Sequence, residues 1–136
     1  MAVSNPYVQY QANSVTTAGP DKLLLMAYEG AIRFVRMGQE KLLSGSEVDA
    51  RTSLGKAQLI IAQLMMTLNP EPAPELVANL ARLYEYMHNR LSDAGLNNDA
   101  RAADEVIGIL SDLKDAWTQA AQMCREQSAG EGQLAA

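Results

Sequence analysis

The stretch ADEVIGILSDLKDAWTQAAQMC, residues 103–124, decides the fold class of this chain. Its apolar residues recur at alternating steps of three and four, which places them on one face of an α-helix. The residues of this face are Ala103, Val106, Leu110, Leu113, Trp117, Ala120 and Cys124. Asn97-Asn98-Asp99 precedes the stretch with turn and capping residues. The pattern predicts an amphipathic helix whose apolar face, Cys124 included, lies in a core.

Three earlier segments show the same helical period, and the prolines fall outside their interiors. Pro20 suits the first turn of a helix, the Asn69–Pro74 linker ends another, and Gly95 suits a helix C-terminus. The chain is therefore predicted to be all-α, an antiparallel up-down four-helix bundle with an extended N-terminal arm. The predicted boundaries are an arm over 1–16, helices over about 17–44, 47–68, 74–94 and 99–127, and a flexible tail over 128–136.

Length and composition restrict the function classes. The chain has 136 residues, enough for one domain, and a net charge of −5 that disfavours nucleic acid as a partner. The acidic excess lies after Leu68, where eleven acidic side chains accompany five basic ones. Neither a signal peptide nor a membrane-spanning run is evident, so no membrane insertion is expected. One unpaired cysteine without an export signal favours the cytoplasm.

The sequence lacks the residues that catalytic and metal-binding sites need. Glu85 and His88 have the Glu-x-x-His spacing of carboxylate-bridged di-iron bundles, but such sites need two of these motifs and the chain has one histidine. We therefore expect no metal, no cofactor and no enzyme activity. The alternative that stays open is a histidine phosphotransfer bundle using His88, although the Asn89-Arg90-Leu91 that follows is not the small-residue flank such a site needs.

The second helix and the arm carry more apolar side chains than a simple bundle needs. Residues 59–66 (LIIAQLMM) project large apolar groups over most of the helix circumference. Some of these side chains should lie near the surface, either packed beside neighbouring helices or forming a docking groove. The arm brings two tyrosines that cannot form a core alone, and they either cap the bundle permanently or occupy a groove reversibly. The candidate partner-binding residues are Tyr7, Tyr10, Leu59, Ile60, Met65 and Met66.

Several strings resemble the flagellin secretion chaperone family, FliS, in order along the chain. They cover residues 10–15 (YQANSV), 20–34 (PDKLLLMAYEGAIRF), 56–61 (KAQLII), 79–87 (NLARLYEYM) with 90–91, and 105–110 (EVIGIL) with 116–117. The resemblance implies an antiparallel helical bundle that acts as a cytoplasmic, non-enzymatic chaperone of type III flagellar export. Its implied partners are the disordered C-terminal segment of flagellin, kept from premature polymerisation, and the export gate. It also implies that an arm carrying Tyr7 and Tyr10 covers a hydrophobic groove that the flagellin tail takes over.

Overall fold

The protein consists of four α-helices joined by short connections. The computed structural model describes the backbone of residues 6–135 and the side chains of residues 21–130. The helices are α1 (Pro6–Leu43), α2 (Glu47–Met66), α3 (Pro74–Asn97) and α4 (Ala100–Ala135). The predicted all-α fold is confirmed.

Side-chain contacts show that neighbouring helices run antiparallel and that each helix packs beside two others. Along α1 and α4, Gln39 Nε2 donates to the Ala100 carbonyl (3.1 Å), whereas Arg125 Nη1 pairs with Asp21 Oδ2 (3.1 Å) some twenty residues away in each helix. The same inverse order joins α2 to α3, where Arg51 Nε donates to the Gly95 carbonyl (3.1 Å) and Gln58 Nε2 to that of His88 (2.9 Å). These contacts define an up-down-up-down bundle.

Two glycines let neighbouring helices approach closely. A Cβ on Gly38 would lie 2.6 Å from Leu54 Cδ2, and Leu54 is a fully buried side chain of α2. A Cβ on Gly95 would lie 3.3 Å from Arg51 Cγ. Gly95 is therefore a packing residue and not the helix terminus that its position in the sequence suggested. The residue that ends α3 is Asn98, which adopts the left-handed conformation (φ 52°).

The start of α4 is capped as the sequence predicted. Asp99 Oδ1 accepts hydrogen bonds from the backbone N–H groups of Arg101 (3.0 Å) and Ala102 (3.2 Å). These are two of the N–H groups that lack a partner inside a helix. Pro74 stands at the start of α3, where its missing N–H removes no hydrogen bond.

The outer helix boundaries differ from the sequence expectation. The arm expected to be extended over residues 1–16 is helical from Pro6, and α4 continues to Ala135 through the tail expected to be flexible. Residues 1–5 and 136 lie outside the described residues. Apolar periodicity reveals helices that bury one face, and the sequence of residues 1–16 and 128–136 shows no such period. Glycines such as Gly130 weaken a helix by about 1 kcal/mol each without breaking it.

Because α3 and α4 are antiparallel and Arg90 meets Glu105 (3.3 Å), the start of α3 at Pro74 lies level with about residue 121 of α4. The remainder of α4 extends roughly 21 Å further. Residues 122–129 are exposed accordingly. The bundle core therefore covers only the first part of α4.

Candidate functional site

A buried hydrogen-bonded group of three aromatic residues joins α1, α3 and α4. Trp117 Nε1 donates to the Tyr28 hydroxyl (3.0 Å), and the Tyr28 and Tyr84 hydroxyls bond each other. The two tyrosine rings lie 6.5 Å apart, and both residues are almost completely buried. All three stand in the strings that resemble the FliS family. The group satisfies its own polar atoms inside the core, so its role is to fix the packing.

Burial raises the pKa of both tyrosines above the usual value of 10.0. For Tyr84 the hydrogen bond to Tyr28 raises the pKa further. Both hydroxyls therefore stay protonated at neutral pH. They offer no nucleophile or general base.

Helix α2 has a buried face and an apolar outer face on opposite sides. Its buried residues are Ala50, Ser53, Leu54, Ala57, Ile60, Ile61 and Leu64. At about 100° per residue, Val48, Leu59 and Met66 lie within about 20° of one another and directly opposite the centre of that buried set. Their exposed fractions are 73%, 62% and 85%. We call Val48, Leu59 and Met66 the α2 stripe.

The residues predicted for partner binding on α2 have three different environments. Leu59 and Met66 are exposed on the α2 stripe, whereas Met65 is half-buried and packs against the core. Ile60 belongs to the core with 7% exposure, because it faces α1, where its Cδ1 lies 3.5 Å from the position of a Cβ on Gly30. Val48 was missed in the sequence, although its spacing of eleven and eighteen residues from the other two members of the stripe marks it.

The predicted tyrosines of the arm, Tyr7 and Tyr10, lie outside the described side chains. Their backbone belongs to α1, which is helical from Pro6, and the first described side chain of that helix, Asp21, pairs with Arg125 of α4.

The apolar face of α4 that decided the fold class is buried over only part of its length. Ala103, Val106 and Leu110 are fully buried, and Leu113 and Trp117 are partly buried against the core. Ala120 and Cys124 are exposed. The expectation that Cys124 lies in the core was wrong, because α3 begins too late to reach it. The exposed end of this face therefore carries two small side chains, Ala120 and Cys124.

Polar and charged groups line two of the seams between helices. Between α3 and α4, Glu105 accepts hydrogen bonds from the Tyr86 hydroxyl and from Arg90 Nη2 (3.3 Å). Between α1 and α4 lies an open groove of about 540 Å³ whose lining mixes acidic and basic side chains, with Lys114 paired to Glu29 (3.5 Å). Neither seam offers a continuous apolar track. The α2 stripe remains as a candidate binding surface.

His88 is half-buried, and its carbonyl accepts the hydrogen bond from Gln58. Within residues 21–130, no three His, Cys, Asp or Glu side chains come together in a way that could hold a metal ion. None of the described helices is long and apolar enough to cross a membrane.

Comparison with known proteins identifies relatives over nearly the whole chain. The family described as "Flagellar protein FliS" matches residues 3–124. The "Flagellar secretion chaperone FliS" of Bacillus subtilis (strain 168) is 41% identical over 135 residues, which cover 99% of this chain and 100% of the relative. The protein of the same description from Salmonella typhimurium is 38% identical, with coverages of 83% and 85%. A solved structure described as "Crystal structure of flagellar chaperone from bacteria" has a TM-score of 0.72 and 25% identity, and the match covers 86% of this chain and 95% of that chain.

Proposed function

The chain belongs to the FliS family of flagellar secretion chaperones, and we propose that it binds the disordered C-terminal segment of flagellin in the cytoplasm. Binding keeps the segment from polymerising before export, and the complex is then delivered to the flagellar export gate. The family is one of chaperones and not of enzymes. Phosphotransfer through His88, the alternative reading of the sequence, therefore has no support.

The observation that carries the proposal is the α2 stripe. Leu59 and Met66 stand two helical turns apart, about 10.5 Å, which matches the i, i+7 spacing of apolar residues on an amphipathic helix. A disordered segment loses conformational entropy when it folds on a partner, so it needs exposed apolar contacts to offset that loss. Met66 adds a flexible, polarizable side chain that adapts to different partner shapes.

The arm precedes the end of the bundle at which Asp21 contacts Arg125. We propose that its two tyrosines, Tyr7 and Tyr10, cover a hydrophobic groove until the flagellin tail arrives. Removal of residues 1–15 should then change flagellin association without unfolding the bundle, whose core begins at Tyr28.

Co-purification with a C-terminal fragment of flagellin tests the proposal directly. The wild-type chain should form a complex with the fragment at micromolar concentration, and it should delay the polymerisation of full-length flagellin followed by light scattering. The double variant Leu59→Glu/Met66→Glu should lose both effects, because it places charges on the α2 stripe.

The matched control is Leu43→Glu. Leu43 is 73% exposed at the end of α1, one helical turn after Gln39, which contacts α4, so it lies on the α4 side of α1 and is separate from the substituted Leu59 and Met66. This variant should bind the fragment like the wild type. Failure of the wild-type chain to form a complex would refute the proposed function, and equal loss of binding in the double variant and the control would exclude the α2 stripe as the site.

A further inference from the structure

The methionine side chains of this protein differ widely in their contact with solvent. Met66 is 85% exposed, and Met123 and Met37 follow with 68% and 42%. Met87 is fully buried, and Met65 is half-buried and packs against the core. A peroxide must reach the thioether sulfur to oxidise it, so susceptibility follows exposure. Among the described methionines, Met66 is therefore the one most open to oxidation.

Met65 and Met66 allow a comparison within one stretch of sequence. The two residues are adjacent in α2 and carry the same side chain. One residue turns the helix by about 100°, which places Met65 against the core and Met66 on the α2 stripe. Packing keeps peroxide away from the first side chain, whereas solvent surrounds most of the second. The fold therefore makes two neighbours of equal chemistry unequal in reactivity.

Oxidation of Met66 changes the α2 stripe without changing the bundle. A sulfoxide oxygen accepts hydrogen bonds, and at this outward position water supplies the donors, so the folded chain tolerates it. Against the apolar side chains of a bound segment the same oxygen loses its water partners, which weakens the complex. Val48 and Leu59, the other members of the α2 stripe, contain no sulfur. The response of the stripe to peroxide is therefore concentrated in Met66.

We propose that Met66 is a reversible oxidation site through which peroxides release the flagellin segment, an inference that rests on the proposed function. The sulfur attacks one oxygen of hydrogen peroxide, so that a sulfur–oxygen bond forms and the oxygen–oxygen bond breaks. The second oxygen leaves as water with both hydrogens of the peroxide. Sulfur loses two electrons and the peroxide gains them. Methionine sulfoxide reductases reverse the change, so the loss of binding is temporary.

Peptide mass spectrometry after brief treatment with hydrogen peroxide tests the site in the absence of flagellin. In the folded chain Met66 should be oxidised at least about twofold faster than Met65, following their exposed fractions. Met87 should stay reduced. In urea, where packing no longer protects Met65, the two adjacent residues should react at similar rates. Equal rates for Met65 and Met66 in the folded chain would overturn the assignment.

Calorimetry with the C-terminal flagellin fragment tests the consequence. Peroxide is removed with catalase before the fragment is added, so that only the chaperone is oxidised. The dissociation constant of the oxidised chain should rise at least about fivefold, because a polar group is buried without a partner. Treatment with the two reductases, one for each sulfoxide epimer, should restore the original affinity. The circular dichroism of the oxidised chain should equal that of the untreated chain.

Two variants identify the residue responsible. Met66→Leu keeps an apolar side chain without sulfur, so its affinity for the fragment should be the same before and after peroxide. The matched control Met123→Leu removes another exposed methionine, on α4, and should stay as sensitive to peroxide as the wild type. A Met66→Leu variant that loses affinity after treatment would overturn the proposal, as would a loss of helix in the oxidised wild type.

A protection measurement requires no variant. The bound fragment should slow the oxidation of Met66 severalfold, and an unchanged rate in the complex would overturn the proposal. Unchanged affinity of a chain whose Met66 is oxidised would also overturn it. Each of these results leaves the proposed function standing, because they all presuppose a complex. The proposed function fails if the untreated chain does not bind the fragment, and the release by peroxide then fails with it.

Discussion

Truncation of Leu59 to Ala should weaken flagellin binding by an amount that follows from its exposure. Full burial of a leucine side chain contributes about 1.5–3 kcal/mol. Leu59 is 62% exposed. Covering this exposed part with the flagellin segment therefore contributes ~0.9–1.9 kcal/mol to binding. Loss of that contribution corresponds to a dissociation constant raised about 5- to 25-fold. Isothermal titration calorimetry with the C-terminal flagellin fragment measures the change.

The substitution Leu59→Ala should leave the stability of the bundle almost unchanged. Leu59 points away from the core, so the free energy of unfolding in urea should change by less than about 0.5 kcal/mol. The matched variant Leu43→Ala removes a leucine of α1 that is also largely exposed. It should change neither quantity. Indistinguishable affinities for the two variants would refute the assignment of Leu59 to the binding site, and a large loss of stability in Leu59→Ala would refute its outward orientation.

Four further outcomes are expected. Gly38→Ala should lower the free energy of unfolding by about 1–2 kcal/mol, because the added Cβ would overlap a buried leucine. Gly55→Ala should raise the free energy of unfolding by about 0.5–1 kcal/mol, because the space around Gly55 is free. Equal effects of the two variants in urea unfolding would contradict the close approach of the helices at Gly38. The raised pKa of Tyr84 means that above pH 10 the unfolded chain loses a proton that the folded chain keeps, so stability falls as pH rises. Tyr84→Phe should flatten this fall between urea titrations at pH 8 and 11, and an unchanged slope would contradict the buried hydroxyl. Met65→Ala should destabilise the bundle as well as weaken fragment binding, since the side chain packs on the core; a purely functional effect would contradict that packing. Deletion of 1–15 should preserve the helical circular dichroism of the bundle while altering fragment affinity in calorimetry, and collapse of the fold would instead indicate permanent capping.

The apolar period of the sequence was sufficient to predict four helices and their antiparallel arrangement. It works because each helix must bury one face, and short connections force neighbouring helices to run in opposite directions. Asp99 was predictable as a cap for the same local reason. The strings that resemble the FliS family also predicted the family, and three of them supply Tyr28, Tyr84 and Trp117 to one buried group.

The candidate binding residues were only partly predictable. Four neighbouring apolar residues of α2 had equivalent chemistry, and only the positions of α1 and α3 decide that Ile60 is buried while Leu59 is exposed. Cys124 shows the converse limit, since its helical face continues the core pattern but α3 does not extend far enough to cover it. The apolar period of a sequence predicts which face of a helix a side chain lies on, but it does not predict how far the neighbouring helix extends to cover that face.

The α2 stripe lies on the opposite side of its helix from the buried face. Selection for cargo recognition and selection for core packing therefore act on different residues of α2. If the α2 stripe is the binding site proposed above, substitutions of Leu59 or Met66 should alter recognition while leaving the packing against α1 and α3 unchanged. A chaperone of this design can follow changes in its cargo one residue at a time without first acquiring compensating mutations in its interior. The bundle acts as a constant scaffold on which specificity is free to evolve.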